Sequence, residues 1–437
     1  MSLFGTDGIR GRAGEGALSG SGLATVGKAL ASLAGAGRTV VIGRDTRQSG
    51  PSIQSALEAE LTRAGVDVIR LGVLPTPATA LLTVHHEAAL GIMITASHNP
   101  WHDNGIKVLG PNGLKMSDAQ QGALEAAVGK AVNASDAPGR VVTDPSARDH
   151  YIAHLVGTVP GLDLSGFDIV VDAAHGAGSG ILEDLLRTFG AKPYAVASAP
   201  DGRNINEGVG STAPDVCREA VLARGADFGV ALDGDADRVL LIDAGGRRVD
   251  GDQILARLAA DRLQGPGLPG KALVSTVMAN MGLELWCRDN GVGFDRTPVG
   301  DRHVAQRMSE IGARIGGEPS GHILLTEHST TGDGCLAALH LAASLMRGGR
   351  DSEDYFHVFD PVPQCLRNAR VSGGDPLGDA GVRDAIATQE ARLGDTGRVL
   401  VRPSGTEPVI RVMAEGTDAE IISDAVAKIV SAIEASA

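Results

Sequence analysis

Short apolar runs rich in β-branched residues alternate with amphipathic helical windows along most of this chain. Residues 39–43 ("TVVIG") are typical of a buried strand, and residues 51–65 follow with Ile53, Leu57 and Leu61 spaced four apart, as on one helix face. A strand–helix–strand alternation favours a largely parallel sheet that helices cover on both sides. The first part of the chain is therefore predicted to be an α/β domain.

The alternation restarts near residue 168 and again near residue 251, and its style changes after "HVFDPVPQ" to strand, helix, two strands and a final helix. A chain of 437 residues is long enough for several domains. The predicted fold is α/β, with three tandem α/β mixed-sheet domains and a small C-terminal α+β domain. We place the domain boundaries at residues 1–150, 151–248, 249–362 and 363–437.

Composition narrows the classes of partner. A net charge of −14 and 3% aromatic residues argue against nucleic acid, which needs a positive surface and stacking platforms. The beginning of the sequence has no apolar signal-peptide region, and no apolar stretch approaches the ~20 residues of a membrane span. The four cysteines form no C-x-x-C pair and indicate neither a zinc site nor a disulfide framework. We expect a cytoplasmic protein without membrane or nucleic-acid partners.

Three carboxylates crowd one turn in "ALDGDADR" at the end of a predicted strand. Asp233, Asp235 and Asp237 alternate there, and like charges so close repel unless a cation neutralises them. Carboxylate oxygens suit Mg²⁺ or a similar hard ion. An EF-hand loop would need Gly and Glu where Arg238 and Ala244 stand, so that class of calcium site is excluded. A solvated acidic turn is the alternative to a magnesium site.

Two further loops offer polar groups beside glycines. "GGEPSGH" carries Glu318 and Ser320, whose carboxylate and hydroxyl suit sugar hydroxyls, although an ordinary turn has the same composition. "VRPSGTEPVIRV" combines guanidinium groups, hydroxyls and permissive backbone, which is typical of a phosphate cradle. Its candidate phosphate-binding residues are Arg402, Ser404, Gly405, Thr406 and Arg411.

Ser97 follows the apolar run "AALGIMIT" in the stretch "TASHNP". A serine hydrolase of the G-x-S-x-G class would place glycines around its nucleophile, whereas Ala96 and His98 flank Ser97 here. Acyl hydrolysis is therefore disfavoured. A serine that carries a phosphoryl group, neutralised by a metal at the aspartate turn, is the hypothesis that uses all of these loops.

The ordered set "FGTDGIRG", "TASHNP", "DGDADR", "GEPSGH" and "RPSGTEP" resembles the α-D-phosphohexomutase family across nearly the whole chain. The segments "NGIK", "VGDR" and "TTGDG" resemble its bacterial branch that acts on glucosamine phosphates. The resemblance implies four domains around a central cleft, an active phosphoserine and one Mg²⁺ per chain.

By position, the resemblance implies that Ser97 is phosphorylated and that Ser97, Asp233, Asp235 and Asp237 bind the metal. It implies that Glu318 and Ser320 contact the sugar and that the loop at Arg402 holds the non-reacting phosphate. The implied helpers at the reacting phosphoryl group are Arg10, His98, Lys107 and Arg238. The general base is left open, since the neutral-sugar branch often has His where Asp301 stands here.

The implied reaction interconverts glucosamine 6-phosphate and glucosamine 1-phosphate through a hexosamine 1,6-bisphosphate, which also serves as activator, and supplies UDP-N-acetylglucosamine synthesis. The expected partner is a small phosphosugar, and a homodimer is possible within the family. Two alternatives stay open: a mutase for mannose or glucose phosphates, and a phosphosugar-binding protein without activity on the same fold.

Overall fold

The computed structural model describes residues 8–130, 132–349, 351–371, 375–403 and 409–436. The chain divides into two compact units, each built from two segments. Unit 1 comprises Met1–Thr276 and Thr297–Val358, and unit 2 comprises Val277–Arg296 and Phe359–Ala437. Among the described residues, none of the helices combines the length and apolarity needed to cross a membrane.

The first module of unit 1 is a six-stranded sheet with helices, in the strand order β1-β5-β4-β2-β3-β6. Its elements are β1 Ile9–Arg12, α1 Gly20–Ala34, β2 Thr39–Arg44, α2 Gly50–Arg63, β3 Asp67–Val73, α3 Thr76–His85, β4 Leu90–Ile94, β5 Asp103–Leu109, α4 Asp118–Ala127, β6 Val141–Thr143 and α5 Ala147–Gly157. The predicted apolar face of α2 is buried against the core at Ile53, Leu57 and Leu61.

The pairing in this sheet is mixed. Strands β2, β3, β4 and β6 are parallel, as predicted, but β5 runs antiparallel to both β4 and β1. The largely parallel arrangement is confirmed for these four strands, and β1 and β5 give the sheet the mixed pairing of the predicted fold class. Strand β5 is antiparallel to β4 because the connection of residues 95–102 between them is too short for a crossover. This short connection carries Ser97.

The second module is a five-stranded sheet in the order β11-β10-β9-β7-β8. Its elements are β7 Asp168–Asp172, α6 Ile181–Thr188, β8 Lys192–Val196, α7 Asp215–Arg224, β9 Phe228–Leu232, β10 Val239–Asp243 and β11 Arg248–Val249. Strands β8, β7 and β9 are parallel, and β10 returns antiparallel to β9. The aspartate turn is the connection between β9 and β10.

The third part of the chain continues the alternation. In chain order its elements are α8 Gly251–Gln264, β12 Ala272–Thr276, α9 Met281–Asp289, β13 Gly293–Thr297, α10 Asp301–Ile311, β14 Ile315–Gly317, β15 Ile323–Leu325, α11 Gly334–Gly348 and α12 Ser352–Tyr355. Within unit 1, β12 pairs parallel with β14 and β14 pairs antiparallel with β15. Helix α9 and most of β13 belong to unit 2.

The C-terminal part of unit 2 has the predicted strand–helix–strand–strand–helix order. Its elements are β16 Gln364–Arg370, α13 Ala380–Leu393, β17 Gly397–Pro403, β18 Val409–Gly416 and α14 Ala419–Ser436, with an antiparallel sheet of order β16-β18-β17. The earlier segment of unit 2 is held by this module: Asn280 and Val362 exchange hydrogen bonds of 3.0 Å, and Arg398 donates to the carbonyls of Val277 and Ala279 at 2.8 Å. The predicted fold class, α/β modules followed by an α+β module, is confirmed.

Candidate active site

Three loops of unit 1 bring the predicted residues together, and each begins where a strand ends. Ser97 follows β4, the aspartate turn follows β9, and Glu318 follows β14, while Lys107 lies on β5. β4 and β9 each run parallel to a neighbour, and in open α/β sheets the carboxyl ends of such strands are the usual place for ligands. This explains why residues far apart in sequence share one site.

Asp233, Asp235 and Asp237 form a buried cluster. Each offers a carboxylate oxygen that lies within 4.8 Å of the others, and none of the three residues is more than 2% exposed. Burial, with repulsion from Asp237 and Asp235, raises the pKa of Asp233 well above its usual value. Burial also opposes ionisation of Asp237, but Lys107 and His322 hold its pKa well below the usual range. The cluster is therefore held together partly by neighbouring cations.

Lys107 supplies an ammonium group to these carboxylates. Its Nζ donates to Oδ2 of Asp235 at 2.7 Å and to Oδ2 of Asp237 at 2.8 Å, with all three side chains buried. Thr76 at the start of α3 also donates its hydroxyl to Asp235. Sequence analysis did not identify Thr76, which lies 159 residues from its partner.

Ser97 contacts the same cluster. Its Oγ donates to Oδ2 of Asp233 at 2.6 Å and lies 3.2 Å from Nδ1 of His98, and its side chain is buried. The second carboxylate oxygen of Asp233 accepts from the backbone N–H of Arg238 at 3.2 Å. The predicted serine and the predicted aspartate turn therefore meet at hydrogen-bonding distance.

Cationic groups lie close to His98, the residue after Ser97. Burial, together with the nearby guanidinium groups of Arg238 and Arg10, lowers the pKa of His98 to about 4 against the opposing effect of the aspartates. His98 is consequently neutral at pH 7 and lies beside two guanidinium groups.

A second chain of charges, which sequence analysis missed, runs from the aspartate cluster through His322. Its Nδ1 lies 3.6 Å from Oδ1 of Asp237 and its Nε2 lies 2.9 Å from Oδ2 of Asp301, which also contacts Nζ of Lys115 at 2.6 Å. Burial disfavours the imidazolium, but Asp301 and Asp237 outweigh it and raise the pKa of His322 to about 10. Three neighbouring carboxylates need cations close to them, and this need is the signal in the sequence that could have pointed to His322.

Glu318 and Ser320 lie in a loop anchored on both sides. The Oε1 atom of Glu318 accepts from the N–H of Gly300 at 3.1 Å, and Gly321 forms backbone hydrogen bonds with Glu318 and Val239 at 2.9 Å. Ser320 is exposed at the tip of this loop. The loop thus presents a half-buried carboxylate and an exposed hydroxyl.

In unit 2, Arg402 and Arg411 face each other across the antiparallel pair of β17 and β18. Burial and the neighbouring charge of Arg411 lower the pKa of Arg402. Two guanidinium groups in register on neighbouring strands can both donate to one phosphate, which favours an anion site at this position. The predicted cradle residues Ser404, Gly405 and Thr406 lie outside the described residues.

Comparison with known families identifies four domains along the chain. Models of the four domains of phosphoglucomutase/phosphomannomutase match in order: α/β/α domain I at residues 1–134, domain II at 149–246, domain III at 250–361 and the C-terminal domain at 366–432.

Individual relatives span the whole chain. A phosphoglucosamine mutase of Rhodospirillum centenum is 46% identical, with 99% of this chain and 95% of the relative covered, and one of Novosphingobium aromaticivorans is 45% identical, with 100% and 99% covered. A solved phosphoglucomutase/phosphomannomutase family protein from Burkholderia thailandensis superposes with a TM-score of 0.83 at 24% identity, over 99% of this chain and 97% of that one. The chain therefore belongs to the phosphoglucomutase/phosphomannomutase family of α-D-phosphohexomutases.

Proposed function

We propose that this chain is a phosphoglucosamine mutase, an isomerase that interconverts glucosamine 6-phosphate and glucosamine 1-phosphate and feeds UDP-N-acetylglucosamine synthesis. The relatives of 45–46% identity over the full length carry that name. The observation that carries the proposal is the 2.6 Å contact between Ser97 Oγ and Asp233 inside a buried group of three aspartates.

The donor set of the aspartate cluster fits a hard divalent cation. Oδ1 of Asp235 is buried, and no donor among the described residues lies within hydrogen-bonding distance of it, whereas Oδ1 of Asp237 has only His322 Nδ1, 3.6 Å away. Buried carboxylate oxygens without donors are costly unless a cation lies against them. We infer that Asp233, Asp235 and Asp237, together with Ser97 or its phosphate, hold one Mg²⁺. When bound, this ion would neutralise the carboxylates and the transferring phosphoryl oxygens.

Ser97 is proposed to carry the phosphoryl group. In each direction the group passes from Ser97 to the free hydroxyl of a hexosamine phosphate, and the resulting 1,6-bisphosphate returns its other phosphoryl group to Ser97. Arg10 and Arg238 would stabilise the charge that spreads over the phosphoryl oxygens. His98 is neutral at pH 7 and can accept a proton at Nδ1, while Lys107 orients two of the aspartates.

Substrate binding is assigned to two further groups. Glu318 and Ser320 would contact the sugar hydroxyls, because their loop is anchored by hydrogen bonds and its tip is accessible. Arg402 and Arg411 would bind the non-reacting phosphate, together with Ser404, Gly405 and Thr406. The division into domains 1–150, 151–248, 249–362 and 363–437 is proposed to follow these roles: phosphoserine, metal, sugar and phosphate. Cytoplasmic location and a homodimer stay predictions.

Turnover of sugar phosphates tests the proposal directly. Wild-type protein with Mg²⁺ and a hexose 1,6-bisphosphate is assayed on glucosamine, mannose and glucose phosphates, with Ser97→Ala beside it and Ser55→Ala on the exposed face of α2 as control. We expect the highest kcat/KM on glucosamine phosphate, no turnover by Ser97→Ala, and a phosphoryl adduct by intact mass that this variant lacks. Preference for mannose or glucose phosphate would assign the neutral-sugar branch, and turnover by Ser97→Ala would refute the phosphoserine.

A further inference from the structure

Ser97 has an unusual backbone conformation for a serine. Its φ is +52°, in the left-handed region, which costs an L-residue about 1–2 kcal/mol relative to its ordinary conformations. Such a conformation persists only where surrounding contacts over-determine it. The contacts to the Ser97 carbonyl come from two side chains outside the predicted site, Arg47 and Asn206.

The first is Arg47, which is fully buried in the loop after β2. Its Nη2 donates to the carbonyl of Ser97 at 3.0 Å and to that of Asn99 at 2.8 Å. Its Nη1 donates to the carbonyls of Asp103, at 3.0 Å, and Pro100. One guanidinium group thus binds four backbone carbonyls of the segment that carries Ser97. Arginine is the side chain that has enough donors in a fixed geometry to bind four carbonyls at once.

Arg47 is itself held by a closed ring of hydrogen bonds. Its Nε donates to Oδ2 of Asp45 at 2.8 Å, and the same oxygen accepts from the hydroxyl of Thr95 at 2.7 Å. Thr95 Oγ1 in turn accepts from the backbone N–H of Ser97 at 2.9 Å. Arg47 therefore positions the C=O of Ser97 directly, and it positions the N–H of Ser97 through Asp45 and Thr95.

The second side chain is Asn206, from the loop between β8 and α7. Its Nδ2 donates to the carbonyl of Ser97 at 2.9 Å and to that of Asn99 at 3.1 Å, the same two acceptors that Arg47 Nη2 uses. A Cβ at Gly234 in the aspartate turn would lie 2.6 Å from the Ser97 carbonyl oxygen and 2.8 Å from Asn206 Nδ2. The aspartate turn therefore packs against these hydrogen bonds at Gly234, where a side chain would not fit.

We propose that Arg47 and Asn206 are positioning residues that form a carbonyl clamp: two donors from different modules that share the carbonyl oxygens of Ser97 and Asn99. The clamp holds Ser97 left-handed and so aims Oγ at Asp233. Phosphoryl transfer depends on near in-line geometry, and a misplacement of about 1 Å can cost on the order of 10²-fold in rate. The expected loss of kcat rests on the proposed function, whereas the role of the clamp in fixing the backbone of Ser97 does not.

The test compares Asn206→Ala with Asn204→Ala. Asn204 lies in the same loop, but its amide donates to the carbonyl of Ala199 at 3.0 Å, away from the serine segment. Two measurements are made on the full-length protein: steady-state kinetics with glucosamine phosphate, and hydrogen exchange of the peptide spanning residues 95–103. For Asn206→Ala we expect kcat to fall about 10–100-fold with KM within about twofold, and exchange at least about tenfold faster. Asn204→Ala is expected to match wild type in both.

The outcomes separate the two proposals. If wild type has no mutase activity but Asn206→Ala still accelerates exchange, the proposed function fails and the clamp stands. If exchange is unchanged in Asn206→Ala, the clamp is overturned, whatever happens to kcat. An increase in KM with unchanged kcat would also overturn it, because a positioning residue should not act through substrate affinity.

Arg47→Lys provides the second variant. A lysine ammonium cannot donate in the planar fork that reaches four carbonyls, so we expect the same phenotype, with the larger fall in kcat. Since both donors share their acceptors, the double variant should lose less than the sum of the single losses. Additive losses would show that the two side chains act separately. If Arg47→Lys does not fold, Gly234→Ala replaces it with hydrogen exchange as the deciding measurement, since its Cβ would lie 2.6 Å from the Ser97 carbonyl oxygen and 2.8 Å from Asn206 Nδ2 and removes no donor.

Discussion

Removing the positive charge of Lys107 should destabilise the metal-free protein far more than the metal-loaded one. Lys107→Met keeps the length of the side chain but leaves Asp235 and Asp237 without the ammonium group that lies 2.7 and 2.8 Å away. Breaking a buried ion pair from one side typically costs about 3–5 kcal/mol. A loss of 1 kcal/mol lowers the melting temperature of a domain of about 150–250 residues by about 2–4 °C. The melting temperature in EDTA should therefore fall by roughly 6–20 °C.

Magnesium should recover part of that loss, because a divalent cation at the cluster takes over the neutralising role of the ammonium group. The assay is a thermal melt of wild type and variant in EDTA and in saturating Mg²⁺. Arg257→Met is the control: its partner Asp261, 2.8 Å away on α8, lies outside the three-aspartate cluster, so the loss of melting temperature should be the same in both conditions. The reasoning is refuted if Mg²⁺ does not narrow the difference in melting temperature between Lys107→Met and wild type, or narrows it equally for Arg257→Met.

Three further substitutions test other parts of the structure. Gly321→Ala should lower kcat/KM about tenfold or more, because φ is +90° there and a Cβ would lie 2.0 Å from the carbonyl oxygen of Val239. Gly267→Ala is its control: φ is +94° there, but the Cβ would meet no atom within 4 Å, so the kinetics should not change. Burial, with nearby cations, lowers the pKa of His340 to about 3, so the native state binds its proton less readily than the unfolded state. Its contribution to stability is complete above pH 6.5 and is lost as the pH falls toward 3. The loss of unfolding free energy between pH 7 and pH 5 should therefore be about 2 kcal/mol smaller in His340→Gln than in wild type, measured by denaturation at both pH values. Tyr151→Phe removes a buried hydroxyl that donates to Asp333 at 2.8 Å and should cost about 1.5–3 kcal/mol at pH 7.5 in urea unfolding, with less than about 0.5 kcal/mol contradicting the assignment.

Local signals were enough to predict the main elements and to select the loops that meet at the candidate site. Strand and helix periodicity is a property of neighbouring residues, and it correctly located β2, α2 and the C-terminal α+β order. The aspartate turn was predictable for a similar reason, because Asp233, Asp235 and Asp237 repel one another within a single turn.

What could not be predicted are contacts between distant segments. Arg47 lies 50 residues before Ser97, and Asn206 lies 109 residues after it, yet both bind the same carbonyl oxygen. Nothing in the residues around Arg47 indicates that its side chain is buried, since arginine is usually exposed. His322 can be recognised in the sequence of its loop, but its position between Asp237 and Asp301 depends on how distant segments of the chain pack together.

The division of unit 2 into two segments has a consequence for how the chain folds during synthesis. Val277 leaves the ribosome 82 residues before Phe359, the start of the second segment of unit 2. At about 5–20 residues per second, Asn280 waits roughly 4–16 s for its partner Val362, and longer for Arg398 to arrive at the carbonyl of Val277. A chain truncated after residue 358 would therefore not be a shortened enzyme with one module removed. It would keep the segment Val277–Arg296 without Val362 and Arg398, and we expect chaperone binding during translation to concentrate there.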